Sequence, residues 1–261
     1  SYKDSEELRA YALKEAQYPI AMLPFENATK VINAHKSFES QFLNHFINNK
    51  STFIKIIDRV HIQTILAEQE LGISGLVDAN TAAQAGDLFG AKALLVGRLV
   101  SLDVKQASIK PSRKKGWESY QQKQYNASTK ENDLVTKYKK VHYNEFFGTN
   151  SVSLTVEYKL ISTETGEILK TNLISETLED EVWYITYDAN TKNLLSGSWS
   201  NKSINSDTDV INTSYQDRRQ IQNLLKANRK LISTEELKNT ALKNVSAQAV
   251  NEINAYNPEE D

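Results

Sequence analysis

The run from Pro19 to Val100 constrains this chain more than any other feature, because it reads as one complete β-α-α-α-β unit. It opens with Ile20-Ala21-Met22-Leu23-Pro24-Phe25, a short apolar run of the kind that forms a buried strand. Phe38, Phe42 and Phe46 then recur four residues apart with Leu43 beside them, so residues 35–48 predict an amphipathic helix with an aromatic stripe. Ser51 to Ile57 is β-branched and aromatic and predicts a second strand. Asp58 stands where a helix N-cap belongs; Val60 to Leu71 predicts a helix ended by Gly72, and Asn80 to Phe89 another ended by Gly90. Ala93 to Leu102 is almost uninterruptedly apolar, which predicts a strand buried on both faces. Gly97 breaks that run and points to close backbone packing there.

The flanks are read the same way. Residues 4–16 place Leu8, Tyr11, Ala12 and Glu15 at helical spacing and predict a leading helix that Pro19 ends, so residues 1–18 form an N-terminal helix and 19–261 a single α/β domain. Val104 to Asn150 is a long polar insertion. Val152, Leu154, Val156, Tyr158 and Leu160 alternate with polar residues, and Thr163-Glu164-Thr165-Gly166 is a turn signal, so 152–176 predicts a hairpin. Val182 to Tyr187 is a further strand-like patch, and Ser196 to Ser214 a Ser/Asn-rich loop. Residues 216–231 predict a helix. Ser233-x-x-Glu236 is a capping box opening a last one, in which Leu237, Ala241, Val245, Ala249 and Ile253 share a face; Pro258 to Asp261 frays. The sum is an α/β (α+β) fold: a mixed β-sheet with helices packed on it, the polar insertion 104–150, and a C-terminal helix pair.

The search for chemistry mostly excludes. The 261 residues hold no cysteine, which rules out disulfides, thiolate zinc sites and cysteine nucleophiles. No apolar run approaches the roughly 18 residues of a membrane helix. His35, His45, His61 and His142 fall in no metal-ligand spacing. Gly86, Gly90 and Gly97 make no phosphate-binding loop, no nucleophile elbow occurs, and the acidic run Glu176, Glu179, Asp180, Glu181 reads as a solvated strand end. Asp58-Arg59 reads as a cap and its local partner. The sequence therefore predicts no catalytic residue, no metal and no cofactor.

One candidate binding surface remains. Between Lys105 and Lys140 there are ten Lys or Arg against three Asp or Glu, dotted with aromatics, in a chain of net charge −2. The candidate partner-binding residues are Lys110, Arg113, Lys114, Lys115, Trp117 and Tyr120 here, with Trp183 and Tyr187 further along. Cations and aromatic faces can hold phosphates, acidic partners or bases. The plainer reading is an extended, solvated insertion with no ligand, and the slightly acidic whole argues against nucleic acid.

These residues also carry a family resemblance. Ala21-Met22-Leu23-Pro24-Phe25-Glu26-Asn27, then Ile57-Asp58-Arg59, Leu66-Ala67-Glu68-Gln69, Thr81-Ala82-Ala83-Gln84-Ala85-Gly86 and Gly90-Ala91-Lys92-Ala93-Leu94-Leu95-Val96-Gly97 resemble the curli secretion-channel (CsgG-like) family. Val152 to Leu160, with Ser162-Thr163-Glu164-Thr165-Gly166-Glu167-Ile168-Leu169, is similar to its second signature. The resemblance implies a non-enzymatic, periplasm-facing domain related to the N-terminal domain of TolB. It implies a lipid anchor to the outer membrane on a cysteine preceding Ser1, an envelope or secreted protein partner, and homo-oligomeric rings in which each subunit gives two hairpins to a barrel. Those hairpins would fall at about 104–150 and 178–215. Barrel strands need about 9–11 residues with one lipid-facing phase free of charge. Here Glu131, Asp133, Lys137 and Lys139 occupy one phase and Lys130 and Lys140 the other, so the sequence predicts the family's domain without its pore.

Overall fold

The computed structural model describes residues 2–49, 51–58 and 90–256. The helices expected over Val60–Leu71 and Asn80–Phe89, the pairing of Arg59, and the Pro258–Asp261 tail lie outside the described residues. Among the described residues, four α-helices accompany nine strands in an open, mixed sheet whose order, by residue number, is 54–58, 18–22, 93–105, 131–162, 112–126, 194–198 and 210–211, with 26–27 on 93–105 and 168–186 on 131–162. The chain divides into two compact units, one of residues 1–105, 151–178 and 234–261, the other of 106–150 and 179–233.

In the first unit, β1 (Tyr18–Met22) lies parallel between β3 (Ile54–Asp58) and β4 (Ala93–Lys105), β2 (Glu26–Asn27) pairs with Arg98 and Leu99 of β4, and the end of β6 (Glu131–Ser162) runs antiparallel along β4. β4 is buried on both faces only over its first residues, where Leu95 and Leu99 join the main core while Leu94 packs with Ala21, Leu23, Ala91 and Ile161. From Arg98, which is exposed, the second face opens, so the expectation of burial on both faces through Leu102 does not hold for the whole strand. The aromatic stripe of α2 (Ala34–Asn48) turns Phe38, Phe42 and Phe46 into that main core, where Phe25 lies 5.0 Å from Phe38 and 5.5 Å from Phe42 between ring centroids. The predicted face of α4 (Thr234–Asn254) covers the same core with Leu237, Ala241, Val245, Ala249 and Ile253.

Gly97 is required by a side chain rather than by neighbouring backbone, since a Cβ there would stand 2.4 Å from the Phe25 ring. The turn before β7 (Ile168–Thr186) has Gly166 at φ 74, the left-handed conformation glycine adopts freely, with Ser162 Oγ accepting the amides of Glu164 and Thr165. Two expectations need correction. Pro19 does not end α1 (Tyr2–Glu15) but lies inside β1, ahead of the first β1–β4 register pair at Ile20 and Ala93, where a missing N–H is tolerated. The acidic run is no strand end either: it lies within β7, where Glu176 accepts from Asn244 Nδ2 at 2.8 Å and Asp180 from the Ile232 amide at 2.7 Å.

In the second unit the polar insertion is ordered. β5 (Ser112–Asn126) pairs with β6 from Ser112–Glu145 to Asn126–Glu131 without a register shift, closing through Lys130 at φ 57. The expected strands Val152–Leu160 and Val182–Tyr187 are parts of far longer ones, since β6 has 32 residues and β7 has 19. Alternation marks a strand only where one face is buried, so their polar stretches gave no signal. The Ser/Asn-rich segment 196–214 is not all loop. It contains the end of β8 (Leu194–Ser198), which pairs with β5, and β9 (Val210–Ile211), which pairs with β8. The helix expected over 216–231 is α3 (Tyr215–Lys226), capped by Ser214 Oγ accepting the Asp217 amide; it stops early because the Asn228 side chain turns the chain onto Lys230.

Candidate functional site

Alternation along β5 divides the candidate residues of the second unit between two faces. Arg113, Lys115 and Trp117 share one, opposite His142 and Lys140; Lys114, Glu118 and Tyr120 share the other, opposite Tyr143 and Lys139.

The first face is built round two indoles. Trp117 (5% exposed) and Trp199 (6%) pack with Leu195, Tyr138 and Ile211. Each indole N–H is spent on backbone: Trp117 Nε1 donates to Val210 O at 2.9 Å and Trp199 Nε1 to Gly116 O at 3.1 Å. The chain 199–209 is held down by Lys140, whose buried ammonium donates to Asp209 Oδ2 (2.6 Å), Asn201 O (2.8 Å) and Ile204 O (2.6 Å), using all three hydrogens. The Lys140 hydrogen bond, helped by the Ser206 and Ser200 amides, outweighs desolvation and holds the Asp209 carboxyl below the usual range.

Lys115 Nζ donates to Trp199 O at 2.6 Å and lies 4.9 Å above that indole. His142 meets the same indole edge-on at 4.9 Å, and its Nδ1 stands 3.2 Å from Arg113 Nη2; guanidinium can only donate, so Nδ1 is the acceptor. Burial lowers the proton affinity of His142, and the charges of Arg113, Lys202 and Lys115 lower it further.

On the second face, Ile185 of β7, Leu194 and Ile221 of α3 form a small core with Val141, Tyr143 and Tyr187 against it. Polar contacts finish it. Glu145 receives Lys114 Nζ at 2.9 Å and Trp183 Nε1 at 3.0 Å. Burial pushes the Glu145 carboxyl up, but those two hydrogen bonds and the lysine charge bring it below its ordinary value. The Tyr187 hydroxyl donates to buried Glu118, which also pairs with Lys139 at 3.1 Å; burial and that carboxylate push the phenol well up.

An open groove of about 580 Å³ lies where β5 meets β8 and β9. Arg113, Lys114, Lys115 and Tyr143 line it together with Ser196, Gly197, Ser198, Val210 and Asn212. Of the eight residues singled out by sequence, this brings together only the basic triplet. Lys110 is exposed ahead of β5, Tyr120 (40% exposed) is further along it, Trp183 and Tyr187 belong to the second-face network, and Trp117 is core. Sequence reasoning missed the groove's Ser196, Ser198 and Asn212, because a Ser/Asn-rich stretch reads as loop. The available signals were Leu194-Leu195, Trp199 and Val210-Ile211, which frame it with apolar residues. Among the described residues no group of three or more His, Cys, Asp or Glu could hold a metal ion, and no helix is long and apolar enough to cross a membrane.

No curated protein matches the chain. Among solved structures it is similar to lipoprotein GNA1162 from Neisseria meningitidis (8% identity, TM-score 0.34, 64% of this chain and 83% of that one). It is also similar to the PelC dodecamer from Paraburkholderia phytofirmans (12%, 0.33, 62% and 73%). A third likeness is to a putative neuraminyllactose-binding hemagglutinin homolog from Helicobacter pylori (8%, 0.36, 91% and 86%). Likenesses this distant carry no argument about function. The family comparison agrees with the resemblance in the sequence: residues 8–124 of this chain carry the pattern of the curli production assembly/transport component CsgG family.

Proposed function

We propose that this chain is a non-enzymatic component of the bacterial cell envelope, tethered by lipid to the outer membrane and working in the periplasm, where it acts in export or assembly of surface protein and associates with copies of itself. The supporting observation is the family match over 8–124, which spans the β1-α2-β3 and β4 core and most of β5. The test is made in a cell that produces the protein. The expected outcome is recovery with outer membranes, a mass including a lipid, and loss of a class of protease-accessible surface protein on deletion. A lipid-free cytosolic protein, or an unchanged surface proteome, overturns the reading.

A second reading, a soluble periplasmic binding or adaptor module of another envelope machine that forms no pore, is favoured by the ribbon 119–126 with 131–138. One of its faces carries Ser119, Gln121, Lys123 and Tyr125 with Asn132, Leu134, Thr136 and Tyr138; the other carries Tyr120, Gln122, Gln124 and Asn126 with Glu131, Asp133, Val135 and Lys137. Neither is apolar, and a lysine on the lipid face costs about 2–4 kcal/mol at the bilayer midplane. Planar bilayers test this second reading: steady single-channel conductance from the purified protein removes it, and absence of conductance with intact partner capture is the expected outcome.

A further inference from the structure

We propose that the groove between β5 and the β8–β9 pair is a docking site for an extended, carboxylate-rich segment of a protein partner. This rests on the reading of the chain as a component that works by holding such a partner, and it names the chemistry of the contact.

Charge is the first argument. The whole chain is slightly acidic, yet three consecutive cations line this groove at the edge of β5, Arg113 and Lys115 from one face of the strand and Lys114 from the other. Among the described residues Arg113 contacts His142 and has no carboxylate within ion-pair distance. Lys115 is tied to a neutral carbonyl and an indole face, which orient its charge without cancelling it. Lys114 alone shares a carboxylate, Glu145, and Glu145 divides itself between that lysine and Trp183. A carboxylate arriving at Arg113 is offered a planar, two-pronged donor.

The remainder of the lining chooses among anions. Sugars and bases are held by exposed flat aromatic faces. Both indoles beside this groove are buried, with their N–H groups spent on backbone, and the one aromatic in its lining, Tyr143, is half-buried with its ring packed on the Ile185 cluster and against Gly116, so no fully exposed ring face is offered. Asn212 Nδ2 donates to Ser196 Oγ at 3.0 Å, and the Ser196 hydroxyl hydrogen, the Asn212 amide oxygen and the Ser198 hydroxyl are instead the donors and acceptors that suit a peptide main chain. The groove runs beside strands, and Ser198 at its rim is exposed. Three strand residues span roughly 10 Å, enough to seat only a short extended segment, so the contact is weak and salt-sensitive.

The test uses the purified full chain and a fluorescein-labelled peptide of about ten alternating Glu and Ser residues, long enough to overhang the groove. Anisotropy is expected to show saturable binding that weakens about tenfold between low salt and about 0.5 M NaCl. Arg113→Gln with Lys114→Gln is expected to cost about tenfold, as is Ser198→Glu, which adds a repelling charge while leaving every hydrogen bond described above in place. Near-ultraviolet circular dichroism reports whether Trp117 and Trp199 keep their packing. Should the double variant lose that signal, Ser198→Glu decides.

Equal binding of a Gln/Ser peptide, or undiminished binding by Ser198→Glu, overturns the proposal. Alginate or inorganic sulfate displacing the peptide at a lower charge concentration overturns the peptide assignment. This binding is read on isolated protein, so its failure leaves the export reading standing. Normal binding with unchanged surface protein in the deletion strain removes the export reading alone.

Discussion

The two units solve the same problem with different materials. The first buries two apolar clusters, and its largest fully enclosed side chains include Phe38, Phe42, Leu94, Leu95 and Tyr158. Its polar contacts finish a structure that hydrophobic burial already specifies. The second has small clusters round Trp117 and Ile185, and closes them with the Lys140–Asp209 pair, the Glu118–Tyr187 bond and two indole-to-carbonyl bonds. Buried pairs of this kind gain little net free energy but are costly to break, because one partner is left unsatisfied. The first unit should therefore lose stability in proportion to volume removed, and the second in proportion to partners removed.

The largest effect that would test this division is Phe42→Ala. It deletes a fully buried ring touching Phe25, Phe38 and Phe46, and should cost about 3–5 kcal/mol in urea titrations. A loss under about 1 kcal/mol would mean that the aromatic stripe is not the keystone of this core. Gly197→Ala comes next. Its Cβ would stand 2.2 Å from Val210 O and 2.8 Å from the Trp117 ring, so the added methyl should cost about 1–3 kcal/mol and weaken hydrogen-exchange protection along β8 and β9. Unchanged protection there would show that the sheet edge yields easily.

The same contrast explains what the sequence disclosed. Period-four phenylalanines, the alternation from Val152 to Leu160 and the stripe from Leu237 to Ile253 are traces of burial, so α2, the end of β6 and α4 were legible. The basic triplet was legible as charge. The ribbon from Ser119 to Tyr138 buries no continuous face and leaves no periodic trace. Lys140, the anchor of the segment 199–209, looks in sequence like one more lysine in a basic run; its partners Asn201, Ile204 and Asp209 lie more than sixty residues away. Long-range polar pairing has no local signature. Trp117 misled for a related reason: a tryptophan among lysines suggests a ligand platform, and here it is the centre of a small core.

Trp117→Phe sharpens the point at a smaller scale. The ring's bulk largely remains, but Val210 O loses its donor, so the expected cost is about 1 kcal/mol plus that of the missing ring volume. Replacing the indole by semisynthesis with its benzothiophene analogue, which keeps the ring and removes only the N–H donor, would separate the two. If packing rather than pairing governs this unit, the analogue protein should be about as stable as the parent.

The smallest effect concerns His142 in the second unit. Burial and the charges of Arg113, Lys202 and Lys115 depress its folded-state proton affinity below that of the unfolded chain, about 6.5. The unfolded state therefore takes up this proton first as the pH falls. The stabilisation is complete above about pH 6.5 and is lost as the pH drops from there through the lower folded value. Arg113→Gln removes one of the repelling charges, so the C2 proton resonance of His142, assigned with His142→Gln, should titrate at higher pH and the acid loss of stability should become shallower. Added salt should shift the parent the same way by screening the cations. A midpoint indifferent to both would leave burial against Trp199 as its whole cause, and the groove would then hold less positive potential than its three cations promise.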